Sequence, residues 1–119
     1  MTVAMKFIAA LALALALVLL NACASSTFSP SSSRQYPAFQ GEVKVLKQLP
    51  APGSYALIGI VRVEGPYLAS DDRIYAQMKA QAAARGANAV VPQSAIKTQD
   101  VSSGGKLRIL AAYAIRLRN

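Results

Sequence analysis

An unbroken run of fourteen apolar residues, Phe7 through Leu20, follows directly on Lys6 and limits more than any other feature what this chain can fold into. A positive charge followed by a Leu/Ala stretch has the form of an export signal. It falls short of the roughly 18 residues at which a spanning helix is expected. Met5 offers a second start that would place Lys6 directly after the initiator. A signal of this kind is cut away on export, so the hydrophobic content of 54% overstates the core left to the rest of the chain. What remains has room for one small domain.

The residue inventory narrows the chemistry. The chain has a single Cys, no His and no Trp. One cysteine cannot close an intramolecular disulfide, and the usual zinc and copper ligand sets cannot be assembled without His. No Ser/His/Asp or Cys/His constellation exists. Gly104-Gly105 sits in a turn and has none of the context of a phosphate-binding loop. Asp71-Asp72 falls at a helix start, where adjacent carboxylates serve the macrodipole rather than a metal. The expectation is a non-catalytic protein without cofactor or metal.

The apolar run ends in Leu20-Asn21-Ala22-Cys23. This resembles the lipobox of bacterial lipoproteins, with a branched residue at −3, a small one at −1 and then the cysteine, although Asn21 departs from the common small or apolar choice. The only thiol of the chain stands where the diacylglyceryl group would be attached. The resemblance implies a signal peptide over residues 1–22, cleavage before Cys23 and lipidation of Cys23. Several acyl chains on one residue hold a protein to a membrane stably, where one alone binds marginally. Ala24 follows at the position where, by resemblance to known sorting, Asp would favour inner-membrane retention. The expected place is thus the periplasmic face of the outer membrane, with the inner membrane as alternative. Cleavage after Ala22-Cys23-Ala24 would instead release a soluble periplasmic protein.

Residues 24–40 carry six serines with Pro30 and Pro37 and show no apolar period. With Cys23 they read as a lipidated Ser/Pro-rich tether, spanning about 55 Å if extended. Tyr36 and Phe39 are suited to docking back on the domain, but the stretch reads mainly as a spacer. Without Lys6, twelve basic residues stand against five acidic ones, a net charge of +7. In the cytosol this would suggest nucleic acid; export removes that partner. Lipid A phosphates, anionic phospholipid or peptidoglycan carboxylates remain as contacts, beside a merely soluble basic surface.

Residues 41–119 then form the domain. Residues 42–48, with Val43, Val45 and Leu46, predict a short strand. Residues 55–63 are near-continuously apolar, as a central strand is. Ser70 caps a helix with Asp71 and Asp72 in its first turn. Ile74, Met78 and Ala82 form its buried stripe, and Gly86 stops it. A third strand runs from Ala89 through Ile96. After the Ser102-Ser103-Gly104-Gly105 turn the last strand alternates strictly. Leu107, Ile109, Ala111, Tyr113, Ile115 and Leu117 fall on one face and are expected under the helix. Arg108, Leu110, Ala112, Ala114, Arg116 and Arg118 fall on the other and are expected to form an interaction surface. The order β-β-α-β-β predicts an α+β two-layer domain: about four strands with one helix on one face.

The stretch Gly86-Ala87-Asn88-Ala89-Val90-Val91, entered from an Ala-rich helix, resembles a group of small α+β proteins. They include the outer-membrane lipoprotein that senses envelope damage for the Rcs phosphorelay, short enterobacterial lipoproteins, and YbjQ-like oligomers. Leu57-Ile58-Gly59-Ile60-Val61 and Ala112-Tyr113-Ala114-Ile115 fit the flanking strands. The resemblance covers roughly residues 43–118 and is sharp over about ten. This chain lacks the cysteines for the Rcs sensor's two disulfides, and the YbjQ-like proteins lack export signals, so the short lipoproteins match best. The motif also has a structural reading: Gly as helix stop, Asn tolerant of turn geometry, Ala for close packing.

Two function classes follow. One is a non-catalytic envelope lipoprotein that binds or senses an envelope component. The other is a structural accessory subunit of a larger envelope complex. In strand 55–63, Ile58 and Ile60 alternate with Leu57 and Val61, so one pair is expected to face away from a single helix. An apolar face left open in this way predicts a homo-oligomer or an envelope protein partner.

Overall fold

A computed structural model describes residues 24–102 and 104–118. In chain order the elements are β1 (Ser25–Pro30), β2 (Lys44–Val45), β3 (Tyr55–Pro66), α1 (Asp71–Ala84), β4 (Ala89–Pro92), β5 (Lys97–Asp100) and β6 (Lys106–Leu117). The six strands make one sheet in the order β1-β3-β6-β4-β2, with β5 also on β6. All neighbours are antiparallel except β2 and β4. The expected four-stranded β-β-α-β-β sheet is therefore incorrect.

Two features account for the difference. The first lies in the Ser-rich stretch expected to be a tether. Its residues 25–30 form β1, an edge strand paired along its whole length with β3, from Ser25 opposite Glu64 to Pro30 opposite Gly59. Hydroxyl side chains suit an edge strand, and Ser26 and Phe28 alternate inward while Ser25, Thr27 and Ser29 stay exposed. So short an inward set gives little apolar period. The second feature is a break in the expected third strand. Pro92 has no N–H to continue a ladder. The chain leaves the sheet after Gln93, whose N–H still reaches the Ala111 carbonyl (2.9 Å), and rejoins the same edge of β6 as β5.

The helix matches its local signals. Ser70 Oγ accepts from the Arg73 N–H (3.3 Å), and Ile74, Met78 and Ala82 are fully buried. At the other end the Gly86 N–H donates to Ala83 O and the Ala87 N–H to Ala82 O, each at 3.0 Å, which is a Schellman stop. Gly86 has φ +95°, and a Cβ there would run into Tyr36 and Pro37, which cross beneath the helix end. Asn88, in contrast, has no left-handed backbone. Its side chain serves the end of β6, with Oδ1 accepting from the Leu117 N–H at 2.7 Å.

The helix covers one sheet face. Val61 and Val63 of β3 stand opposite Ala112 and Leu110 of β6, and all four are fully buried with Ile74 and Met78. The expected assignment of the faces of β6 is thus reversed: the small set lies under the helix. Period-two alternation distinguishes two faces without saying which a helix will take. Alanines at 112 and 114 let the helix, with its own Ala82, come close. The reverse face holds a smaller cluster in which Ala89, Val91 and Ile115 are buried beside Leu46, Tyr55, Tyr113 and Leu117.

Candidate functional site

Cys23 and residues 1–22, the expected signal peptide, lie outside the described residues. Ala24, the next residue, is half-buried against the helix-side core, and β1 begins one position later. No spacer separates the lipidation candidate from the sheet. Instead, the rest of the expected tether folds over the helix end, where the Phe39 N–H donates to Ala83 O (2.8 Å).

The six residues expected to form an interaction surface do not form one. Leu110, Ala112 and Ala114 are fully buried under α1. Arg108 and Arg116 grip the two ends of that helix. Arg108 donates to the Ala69 carbonyl at 2.6 Å and pairs with the Asp71 carboxylate, while Arg116 donates to the Gly86 carbonyl at 2.9 Å. Their stems lie along the sheet and their charged heads reach the helix termini. Arg118 reaches the turn before β3, with Nη1 3.3 Å from Gly53 O. Arg108 and Arg116 therefore belong to the docking of the helix, and Arg118 to the turn before β3.

The open surface is the reverse face. A β-bulge between Leu57 and Gly59 shifts the alternation of β3 by one residue. Ile58 and Val61 consequently both point toward the helix, while Leu57 and Ile60 both face away, opposite Ile115 and Tyr113. The pairs expected from strict alternation are thus broken and recombined. Ser31 bridges the bulge: its hydroxyl donates toward Leu57 O (2.6 Å) and Ile58 O (3.0 Å), and its N–H donates to Ile58 O as well (3.0 Å). Leu57 is 42% exposed, and Ile60, Tyr113 and Leu117 are half-buried beside it. Polar residues bound this patch toward β5, where Arg62 pairs with Glu64 (3.1 Å) near Lys97 and Gln99.

The two ends of the sheet differ. Where β1 begins, four of the five acidic residues gather: Glu64, Asp71, Asp72 and Asp100. The same end carries the turn after β3, in which Tyr67 is 55% and Leu68 92% exposed. These two residues were legible only as large apolar side chains between Pro66 and Ser70, where a turn is normally polar. At the opposite end, Arg34 and Arg85 enter a cleft of about 390 Å³ between residues 28–36 and the helix end. Each stacks on a ring there: Arg34 at 5.0 Å from the Tyr36 centroid and Arg85 at 4.8 Å from that of Phe28.

Among the described residues no group of three or more His, Cys, Asp or Glu is placed to hold a metal, and no helix is long and apolar enough to cross a membrane.

No protein-family model matches this sequence, and no curated protein matches it. Among solved structures, the Francisella virulence factor FvfA is similar to this chain, with a TM-score of 0.57 over 76% of this chain and 96% of that one. Sequence identity is 17%, so the likeness is one of fold alone.

Proposed function

We propose that this chain is an exported lipoprotein, lipidated at Cys23 and held on the periplasmic face of the outer membrane. It acts there as a non-catalytic binding or sensing module. The observation that carries this reading is Leu20-Asn21-Ala22-Cys23 at the end of a fourteen-residue apolar run behind Lys6. The resemblance to short envelope lipoproteins over Gly86-Ala87-Asn88-Ala89 supports it. Cys23→Ser tests it: fatty-acid labelling should vanish, and unprocessed or misplaced precursor should accumulate. Labelling that survives in Cys23→Ser would sink the reading.

A second reading, an accessory subunit that works through its sheet, is favoured by the uncovered face of Leu57, Ile60, Tyr113 and Leu117. A patch of this kind is seldom left open on a monomer, and a second copy of the chain is the simplest partner for it. Residues 24–119 should self-associate in light scattering at tens of micromolar, and Ile60→Asp should return them to monomer. A clean wild-type monomer would remove this reading and leave the lipoprotein reading standing.

A further inference from the structure

The turn after β3 has an unusual composition for its place. Pro66 ends the strand, Tyr67 and Leu68 project, and the chain turns back at once through Ala69 into the Ser70 cap. The turn is held firmly. The Ala69 N–H donates to the Pro66 carbonyl (2.9 Å), Ala69 itself is buried, and the Ala69 carbonyl accepts from Arg108 (2.6 Å). Leu68 is consequently presented to solvent at 92% exposure by a fixed scaffold. At that exposure its side chain is left almost wholly unpacked by the described residues. Lys106 Nζ lies 5.7 Å from the ring centroid of Tyr67, the residue before the leucine.

The location of this tip gives it meaning. Ser25, the first residue of β1, stands opposite Glu64, two residues before the end of β3. The chain therefore enters the sheet at the same end from which the tip projects, and Cys23 lies only two residues before Ser25. We infer that Tyr67 and Leu68 dip into the lipid headgroup boundary beside the acyl chains on Cys23, fixing the domain end-on at the membrane. The inference rests on the lipoprotein reading and assigns a membrane-contacting site to it. Tyr and Lys suit this layer, the ring lying at headgroup level and the ammonium reaching outward. The contact is apolar in origin, because Glu64, Asp71, Asp72 and Asp100 at this end offset the neighbouring cations. It should therefore depend little on anionic lipid or on salt. The cleft with Arg34 and Arg85 then points away from the membrane.

Because the chain has no tryptophan, one introduced residue reports alone. Full-length Leu68→Trp is expressed, processed and reconstituted in phosphatidylethanolamine/phosphatidylglycerol vesicles with brominated acyl chains. Ala51→Trp, in the turn at the opposite end, is the reference. Leu68→Trp emission should shift to the blue and be quenched about twofold, as for a side chain roughly 5–10 Å into the headgroup boundary, while Ala51→Trp stays unquenched. Equal quenching of the two, or none at Leu68→Trp in protein whose mass shows lipid on Cys23, overturns the inference and spares the lipoprotein reading. A blue shift without bromolipid quenching would mean a protein covers the tip, and overturns it too. Unmodified Cys23 would overturn both.

Discussion

Replacing Phe28 by Ala tests whether the Ser-rich segment after Cys23 belongs to the fold. Phe28 is the one large side chain of β1, half-buried against the helix-side core, with its ring over Gly59 and under the Arg85 guanidinium. Truncating a fully buried Phe costs about 3–5 kcal/mol. Half burial at an edge reduces this to about 2 kcal/mol, and losing the cation–π contact adds about 0.5–1 kcal/mol. The total of about 2–3 kcal/mol is a large share of what so small a domain holds. It should lower Tm by roughly 10–20 °C, at about 4–8 °C per kcal/mol for a domain near this size. The assay is thermal and urea unfolding of residues 24–119, with Thr27→Ala as control. Thr27 faces outward on the same strand, and its change should stay within about 0.5 kcal/mol. If the two variants unfold together, β1 is not docked and the domain begins further along the chain.

Met78 is fully buried between helix and sheet, so Met78→Asp should cost several kcal/mol and unfold the domain, whereas Lys79→Asp should be tolerated; circular dichroism melts of the pair check this. Gly86→Ala forces a Cβ into a backbone of φ +95° and into Tyr36 and Pro37, and should cost about 3 kcal/mol by chemical denaturation. A neutral Gly86→Ala would mean that residues 36 and 37 do not pass beneath the helix end.

How much of this was legible depends on how locally each feature is encoded. The helix was readable because its cap at Ser70, its stripe of Ile74, Met78 and Ala82, and its stop at Gly86 are all set within a few residues. The long strands β3 and β6 were readable from their apolar runs, but their faces were not. Alternation left the side under the helix open, and one inserted residue at Ile58 reversed the phase of everything before it. β1 escaped notice because an edge strand of Ser and Thr has the composition of a linker, and its identity depends on pairing partners 29 to 39 residues away, from Gly59 opposite Pro30 to Glu64 opposite Ser25. Arg108 and Arg116 read as surface charge, since nothing local shows that each reaches one end of the helix. The same limit applies to Leu68, whose significance lies in sharing an end of the sheet with the start of β1.

The central claim is the anchor, and the most direct measurement is mass spectrometry of the N-terminal peptide of the protein purified from membranes. A mature chain beginning at Cys23, heavier by a diacylglyceryl group and with or without an additional N-acyl chain, is the predicted result. A mature chain beginning at Ser25 and free of lipid, or one retaining Phe7 through Leu20 with an unmodified Cys23, would contradict it.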